Sequence, residues 1–173
     1  GLRRVCWSAG AEGDKGRRQG SLLFTAGQVE RGIDGTAHVL EEGGFAYVPP
    51  GSDWSLSNPA ADTASFHWIC KQWQSAPGLT APAFFTVNEK DLSPHMMPGT
   101  EGRWGTTRFM DPAAPPHDLH VPIVTLEPGG TIPFAEPHLM APGLSVLDDQ
   151  ALHRLTQDAW PCATRHVRPL SHS

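Results

Sequence analysis

Short apolar runs separated by glycine and proline dominate the hydrophobic pattern of this chain. From about Ser21 to Trp73 two apolar stretches flank Gly27, and the pair Asp34-Gly35 is typical of a tight hairpin turn. ASFHWICKQW then alternates and is rich in β-forming residues, which predicts a closing strand. No segment has a long 3.6-residue apolar period, and the one helical candidate is a weak turn near Asp149 to Leu155. The pattern therefore predicts an all-β, antiparallel architecture.

Composition agrees with this prediction and excludes several classes of function. The chain has 18 glycines and 17 prolines among 173 residues, which suits a β domain with many turns. Its net charge is −5 and its basic residues are scattered, so we expect no nucleic-acid partner. No apolar run approaches the roughly 18 residues of a membrane helix, so we expect no membrane association. Three distant cysteines predict reduced thiols in a cytoplasmic protein.

The segment from Gly130 to Gly143 carries the clearest chemistry. Glu136 and His138 lie two positions apart in a strand-like run, so both side chains point to the same face. A carboxylate and an imidazole inside a β-barrel are suitable ligands for a divalent cation. The alternative is that the inner face of a strand merely carries two polar residues. Buried carboxylates are rarely unpaired, which favours metal ligation.

The spacing resembles the two conserved motifs of cupins. The first motif reads G-x5-H-x-H-x(3,4)-E-x6-G, and its first three marks fall on Gly130, Glu136 and His138. Its next mark falls on Pro142, which has no group to bind a metal. The second motif reads G-x5-P-x-G-x2-H-x3-N, and four of its five marks are kept, namely Gly43, Pro49, Gly51 and Asn58.

Trp54 stands at the remaining mark of the second motif, where a metal-binding histidine is usual. The preceding segment AEGDKGRRQG contains no histidine pair. We therefore predict a metal-free first barrel with an aromatic plug at the ligand position.

The resemblance implies two cupin barrels, of the double-stranded β-helix or jelly-roll type. We predict an unpatterned segment 1–20, a first barrel 21–75, a Pro-rich connector 76–116 and a second barrel 117–173. Part of the connector is expected to pair with a barrel edge, with Trp104 and Phe109 as anchors.

The second barrel is predicted to be incomplete. It spans fewer than 60 residues, whereas a cupin barrel needs about 100. After Asp158 the sequence shows no strand pattern, and the first twenty residues show none either. A degenerate or frame-disrupted gene copy would explain both ends.

Longer segments resemble one particular cupin family. RWGTTRFMDP, HDLHVPIVTLEPGGTIPFAEPHLM and PGLSVLDDQALHRLTQD resemble the bicupin (S)-ureidoglycine aminohydrolases of purine and allantoin catabolism. GGFAYVPPGSDWSLSNP, FHWICKQW and the connector segments GLTAPAFF and MPGTEGRW extend the match to most of the chain. The resemblance implies a Mn²⁺ enzyme that releases ammonia from a small ureido substrate, ureidoglycine, to give ureidoglycolate.

The resemblance also implies roles for individual residues. Glu136 and His138 match the first two metal ligands, and Glu136 would also shuttle a proton. The next ligand position is Pro142, and the glutamate usual just before it is Ala141. That family has a tyrosine in the strand after the site, at the position of His153 here, so His153 could be a substrate contact or a replacement ligand, or simply a packing or surface residue. The remaining ligand, a glutamine, would lie beyond Ser173.

Other residues have simpler interpretations. His117 and His120 precede the second barrel and could approach its site, although nine histidines make such a pair weak evidence. We interpret Trp54, Trp68 and Trp73 as core and rim aromatics and Cys70 as a small apolar filler rather than a nucleophile. Asp118 beside His117 is too common a pair to indicate catalysis.

Two further functions remain open on the sequence. The chain could be a non-catalytic cupin remnant that binds a small molecule or forms oligomers, because unclosed strand edges favour a homo-oligomer. A sugar-binding or isomerase-type cupin is disfavoured, because those proteins keep the H-x-H pair that is absent here.

Overall fold

The computed structural model describes residues 18–33, 36–74, 76–117 and 119–132, together with the four short strands between 143 and 169. The chain divides into two compact units, 1–131 and 132–173. In the first unit the strands are β1 (Arg18–Ala26), β2 (Gln28–Ile33), β3 (Thr36–Glu41), β4 (Gly44–Val48), β5 (Trp54–Ser57), β6 (Ser65–Gln72), β7 (Phe85–Asn88), β8 (His95–Met96), β9 (Trp104–Arg108) and β10 (Pro122–Leu126). In the second unit they are β11 (Gly143–Ser145), β12 (Gln150–Leu155), β13 (Asp158–Ala163) and β14 (Val167–Pro169).

The described strands pair antiparallel, as the sequence predicts, and the helical content of the described residues is one 3₁₀ turn, Glu89–Asp91. In this described part of the chain no helix is long and apolar enough to span a bilayer. The unit boundary at 131 does not test the predicted domain limits, which stay predictions.

Two sheets face each other in the first unit. One has the order β6-β1-β4-β7 and the other the order β3-β2-β5. Side chains alternate between the two faces of a strand. Every second side chain of each strand therefore points into the space between the two sheets. That shared core consists of Leu22, Phe24, Val29, Leu40, Ala46 and Val48, with Trp54, Leu56, Ala64, Phe66, Trp68 and Phe84 packed against it. Burial of each large apolar side chain contributes about 1.5–3 kcal/mol, which makes this layer the main stabilising element.

Turn chemistry explains how the strands change direction. In the predicted hairpin Ile33 pairs with Thr36, which confirms a two-residue connection. The motif glycines Gly43 and Gly51 adopt φ values of 76° and 79°, a left-handed conformation that favours glycine. Asn58 accepts a hydrogen bond from the Ala60 N–H at 2.9 Å, which closes a turn before β6. Gly43, Gly51 and Asn58 of the motif therefore form turns between strands in this structure.

The predicted connector covers the outer face of the larger sheet. β7 pairs with β4, which confirms the expectation that part of the connector joins a sheet edge. Trp104 and Phe109 are buried, as expected of anchors. A second core on this face joins Leu23, Phe45 and Tyr47 to Phe109 and Met110.

The second unit differs from two sequence expectations. The weak helical turn predicted near 149–155 is strand β12, and the segment after Asp158 that shows no strand pattern contains β13 and β14. β12 and β13 form an antiparallel hairpin in which Leu155 pairs with Asp158. Cross-strand hydrogen bonding decides the conformation of such short segments more strongly than intrinsic propensity does.

One prediction about a cysteine is also wrong. Cys70 is exposed rather than a buried filler. Phe66 and Trp68, on the same face of β6, pack against the core, whereas Cys70 lies beyond its end. Alternation identifies the face of a strand but not where along the strand the core stops.

Candidate functional site

The predicted metal ligands lie outside the described residues. Glu136 and His138 fall in the segment 133–142, as do Ala141 and Pro142. His153 is in β12, where its backbone pairs with Trp160. No group of three or more His, Cys, Asp or Glu among the described residues is arranged to hold a metal. The assignments of Glu136, His138 and His153 therefore stay predictions.

Trp54 begins β5 and packs in the core between the two sheets. Its ring centroid lies 5.1 Å from that of Trp68, with the two ring planes tilted by 44°. The structure thus places a half-buried aromatic side chain against the core at the position where the second cupin motif has a histidine. Trp68 also contributes to this core, whereas Trp73 donates a hydrogen bond to the carbonyl oxygen of Pro116 at 3.4 Å.

The most unusual residue of the same interior is Arg31. β2 alternates so that Val29 and Arg31 both point inward, and the Arg31 side chain is 0% exposed. Its backbone pairs with His38 on β3 and with Leu56 on β5. A central strand therefore carries a full positive charge into an otherwise apolar layer.

Aromatic rings surround this guanidinium. Its central carbon lies 4.7 Å from the ring centroid of Phe84 and 5.3 Å from that of Trp54. The His38 ring lies 4.9 Å from Phe84. Cation–π contacts of this kind contribute about 0.5–2 kcal/mol each. They offset part of the cost of removing the charge from water.

The hydrogen-bonding capacity of Arg31 is unused by the residues that the structure describes. None of its three guanidinium nitrogens has a hydrogen-bond partner there. Burial lowers the pKa of Arg31 to about 10, so the group remains a cation at neutral pH. Buried charged groups without partners are rare and costly, which marks this position as a candidate binding site.

Our sequence interpretation did not identify Arg31, although a signal was present. In QVERGI the side chains of Val29 and Arg31 share the inward face of the strand, so arginine follows valine on a buried face. Alternation shows that Arg31 shares a face with Val29. That this face is buried follows only from the central position of β2 in the smaller sheet.

His117 lies on the other side of the larger sheet, against Tyr47 and Phe85. Its ring meets theirs edge-on, with centroid distances of 5.5 and 6.1 Å. His120 is exposed, and Asp118 lies outside the described residues. Desolvation lowers the pKa of His117, and nearby His120 lowers it further, whereas Asp111 acts in the opposite direction.

This lowered pKa predicts a loss of stability in acid. Between the unfolded pKa of about 6.5 and the lower folded value, the unfolded state binds more protons, so the free energy of unfolding falls as pH falls. Urea unfolding at about pH 7.5 and 5.5 should show this loss, and His117→Leu should reduce it. His95→Leu, at an exposed histidine, is the matched control. Equal pH dependence in both variants would contradict the assignment to His117.

The chain is similar in sequence and in fold to known proteins. No protein-family model matches the chain. It is similar to the (S)-ureidoglycine aminohydrolase of Escherichia coli strain K12, with 23% identity over 142 residues, or 81% of this chain and 52% of that protein. The chain therefore spans about half the length of this curated relative.

Two solved structures share the fold. One is a Pseudomonas aeruginosa protein named as glyoxylate induced, with 42% identity and a TM-score of 0.81, covering 87% of this chain and 56% of that one. The other is protein Ylba from E. coli, with 22% identity and a TM-score of 0.75, covering 93% of this chain and 61% of that one. The chain has the all-β cupin fold that the sequence motifs predict.

Proposed function

We propose that this chain is a cupin related in activity to (S)-ureidoglycine aminohydrolase, acting on a small ureido compound and releasing ammonia. The observation that carries the proposal is the similarity to the E. coli aminohydrolase over 81% of the chain. The register of Glu136 and His138 in the first cupin motif supports it. The corresponding place in metabolism is the breakdown of purines through allantoin.

The donor atoms available at the proposed site suit Mn²⁺ in kind. Glu136 supplies a carboxylate oxygen and His138 an imidazole nitrogen, both of which bind this ion. Ala141 and Pro142 supply no donor, so solvent and substrate oxygen or nitrogen would complete the coordination. Bound Mn²⁺ supplies Lewis-acid polarisation of the substrate.

The residues of this chain then have distinct proposed roles. Glu136 would be a ligand of the ion, and its carboxylate would carry a proton during cleavage of the carbon–nitrogen bond. His138 would bind the ion through one ring nitrogen, and a hydrogen-bond acceptor at the other ring nitrogen would tune it. The role we assign to His153 is contact with the substrate.

Ammonia release from ureidoglycine in the presence of Mn²⁺ tests the proposal. Glu136→Ala should lower the rate by at least about 100-fold, because it removes both a ligand and a proton carrier. Glu127→Ala, at an exposed glutamate, is the matched control and should retain the wild-type rate. Calorimetry should show Mn²⁺ binding to the wild type and weaker binding to Glu136→Ala. Equal ammonia release by the wild type and Glu136→Ala would exclude a role for this glutamate.

The second candidate is a non-catalytic cupin that binds a small molecule or assembles as a homo-oligomer. Trp54 in place of the motif histidine favours it for the first barrel. A folded chain that neither binds Mn²⁺ nor releases ammonia would support this candidate. Measurement of the molar mass in solution would show whether the chain forms oligomers.

A further inference from the structure

The starting point is the unused donor capacity of a buried arginine. A guanidinium has five N–H donors, and buried polar groups in folded proteins are nearly always hydrogen-bonded. Arg31 is 0% exposed, yet none of its three nitrogens has a hydrogen-bond partner among the described residues. An acceptor that is not among these residues would satisfy both its charge and its donors.

The aromatic contacts of Arg31 do not occupy its N–H donors. A ring attracts the positive charge through its π-face but accepts no conventional in-plane hydrogen bond from the guanidinium. Phe84 and Trp54 therefore stabilise the cation at 4.7 and 5.3 Å without pairing its N–H groups. The same rings keep the guanidinium in an environment of low polarity, where a charged hydrogen bond is stronger than in water.

The rings around Arg31 also indicate the side from which a ligand would enter. Trp54, His38 and Phe84 are each partly exposed, whereas Arg31 behind them is fully buried. His38 contacts Phe84 directly, with 4.9 Å between ring centroids. These rings lie between the guanidinium and solvent, so ligand entry requires them to move.

From this geometry we propose that the first barrel binds a small organic carboxylate, with Arg31 as its charged anchor and the rings of Trp54 and Phe84 flanking it. The single fork of a guanidinium matches the two oxygens of a carboxylate in a bidentate pair.

The charge and polarity of the surroundings select among anions. The neighbours of Arg31 in register or ring contact, Leu56, Trp54, Phe84 and His38, include no second permanently charged cation. One positive charge balances a monoanion, whereas a phosphate dianion would need further cations. The apolar rings favour a carboxylate that carries an apolar or planar body.

The position of the site within the fold fits this role. Trp54 occupies the mark at which the second cupin motif has a metal-binding histidine. A guanidinium therefore supplies positive charge in a barrel interior where that motif histidine is missing. The site is built from the first unit alone and is independent of the chemistry proposed for Glu136, so ammonia release does not bear on it.

Calorimetric titration of the full chain with acetate and with benzoate tests the proposal. The neutral analogues acetamide and benzamide serve as matched ligands, because they keep the shape and remove the charge. We expect saturable 1:1 binding of a carboxylate and at least about tenfold weaker binding of its amide. Equal binding of acid and amide, or no binding of either carboxylate, would overturn the proposal. Tighter binding of inorganic phosphate than of benzoate would overturn the assigned ligand class.

Two substitutions connect the binding to Arg31. Arg31→Met keeps the length of the side chain and removes the charge, and it should lower carboxylate affinity at least about tenfold. Arg103→Met, at an exposed arginine that pairs with Glu101, is the matched control and should bind like the wild type. Unchanged affinity in Arg31→Met would overturn the proposal.

The stability of the same variants separates a binding site from a structural ion pair. If Arg31 awaits an external ligand, Arg31→Met without carboxylate should be as stable as the wild type or more stable, because a costly buried charge is removed. A large loss of stability would instead indicate a carboxylate of the chain itself as partner and would overturn the proposal. Arg31→Lys provides a second variant, which tests the geometry of the anchor. It keeps the charge but loses the planar fork, and its affinity for benzoate should fall.

Discussion

Replacing Phe45 with alanine is expected to lower the free energy of unfolding by about 3–5 kcal/mol, the usual cost of emptying a buried phenylalanine site. Phe45 is 0% exposed on the outer face of the larger sheet. Its ring stacks on Phe109 with 4.5 Å between centroids and an angle of 7°, and it also contacts Phe85 at 5.9 Å. The change therefore removes contacts to two segments of the predicted connector at once. Urea denaturation measures the loss.

Two comparisons show whether the loss comes from this packing. Val39→Ala, at a side chain that is 62% exposed, should change the free energy of unfolding by less than about 0.5 kcal/mol. A double-mutant cycle between Phe45→Ala and Phe109→Ala should give a coupling energy of about 0.5–3 kcal/mol, since the two rings touch. A loss at Phe45 no larger than that at Val39 would mean that the connector does not pack on the sheet.

The second large effect is expected at Gly20, which has no room for a side chain. A Cβ atom added there would lie within 2.8 Å of three carbon atoms of the Trp68 ring. The ring cannot shift freely, because it also contacts Trp54 at a centroid distance of 5.1 Å. Gly20→Ala should therefore destabilise the first unit by about 1–3 kcal/mol through overpacking. Urea denaturation again provides the measurement.

Replacing Trp68, whose ring opposes Gly20, tests whether the clash causes the loss of stability. In a Trp68→Leu background the added methyl group has space, and Gly20→Ala should then cost less than about 0.5 kcal/mol. If Gly20→Ala costs the same with Trp68 present or absent, the loss arises from the backbone of β1 rather than from the ring. This result would contradict the proposed clash.

Several features of the first unit could be predicted because they depend on local sequence. Alternation identified the strands, and the Asp34-Gly35 pair identified a hairpin whose flanking residues Ile33 and Thr36 do pair. The spacing of the second cupin motif placed Trp54 inside the core correctly. Each of these inferences needs only a few consecutive residues and a known period.

Other features could not be predicted, since they depend on partners distant in sequence. The strand β13 follows from its pairing with β12, because the segment from Asp158 has no strand pattern of its own. The exposure of Cys70 depends on where the core ends along β6.

For this protein, the sequence by itself determined the all-β class, the hairpin at Asp34-Gly35 and the register of the second cupin motif. It also limits the metal hypothesis, because the side chain of Pro142 offers no donor atom. Only the tertiary structure revealed the isolated cation of the first barrel. Whether an inward-facing arginine is paired depends on what β3, β5 and the segment around Phe84 bring to it. Periodicity can show that a charge points inward, but only the packed neighbours decide whether that charge is satisfied.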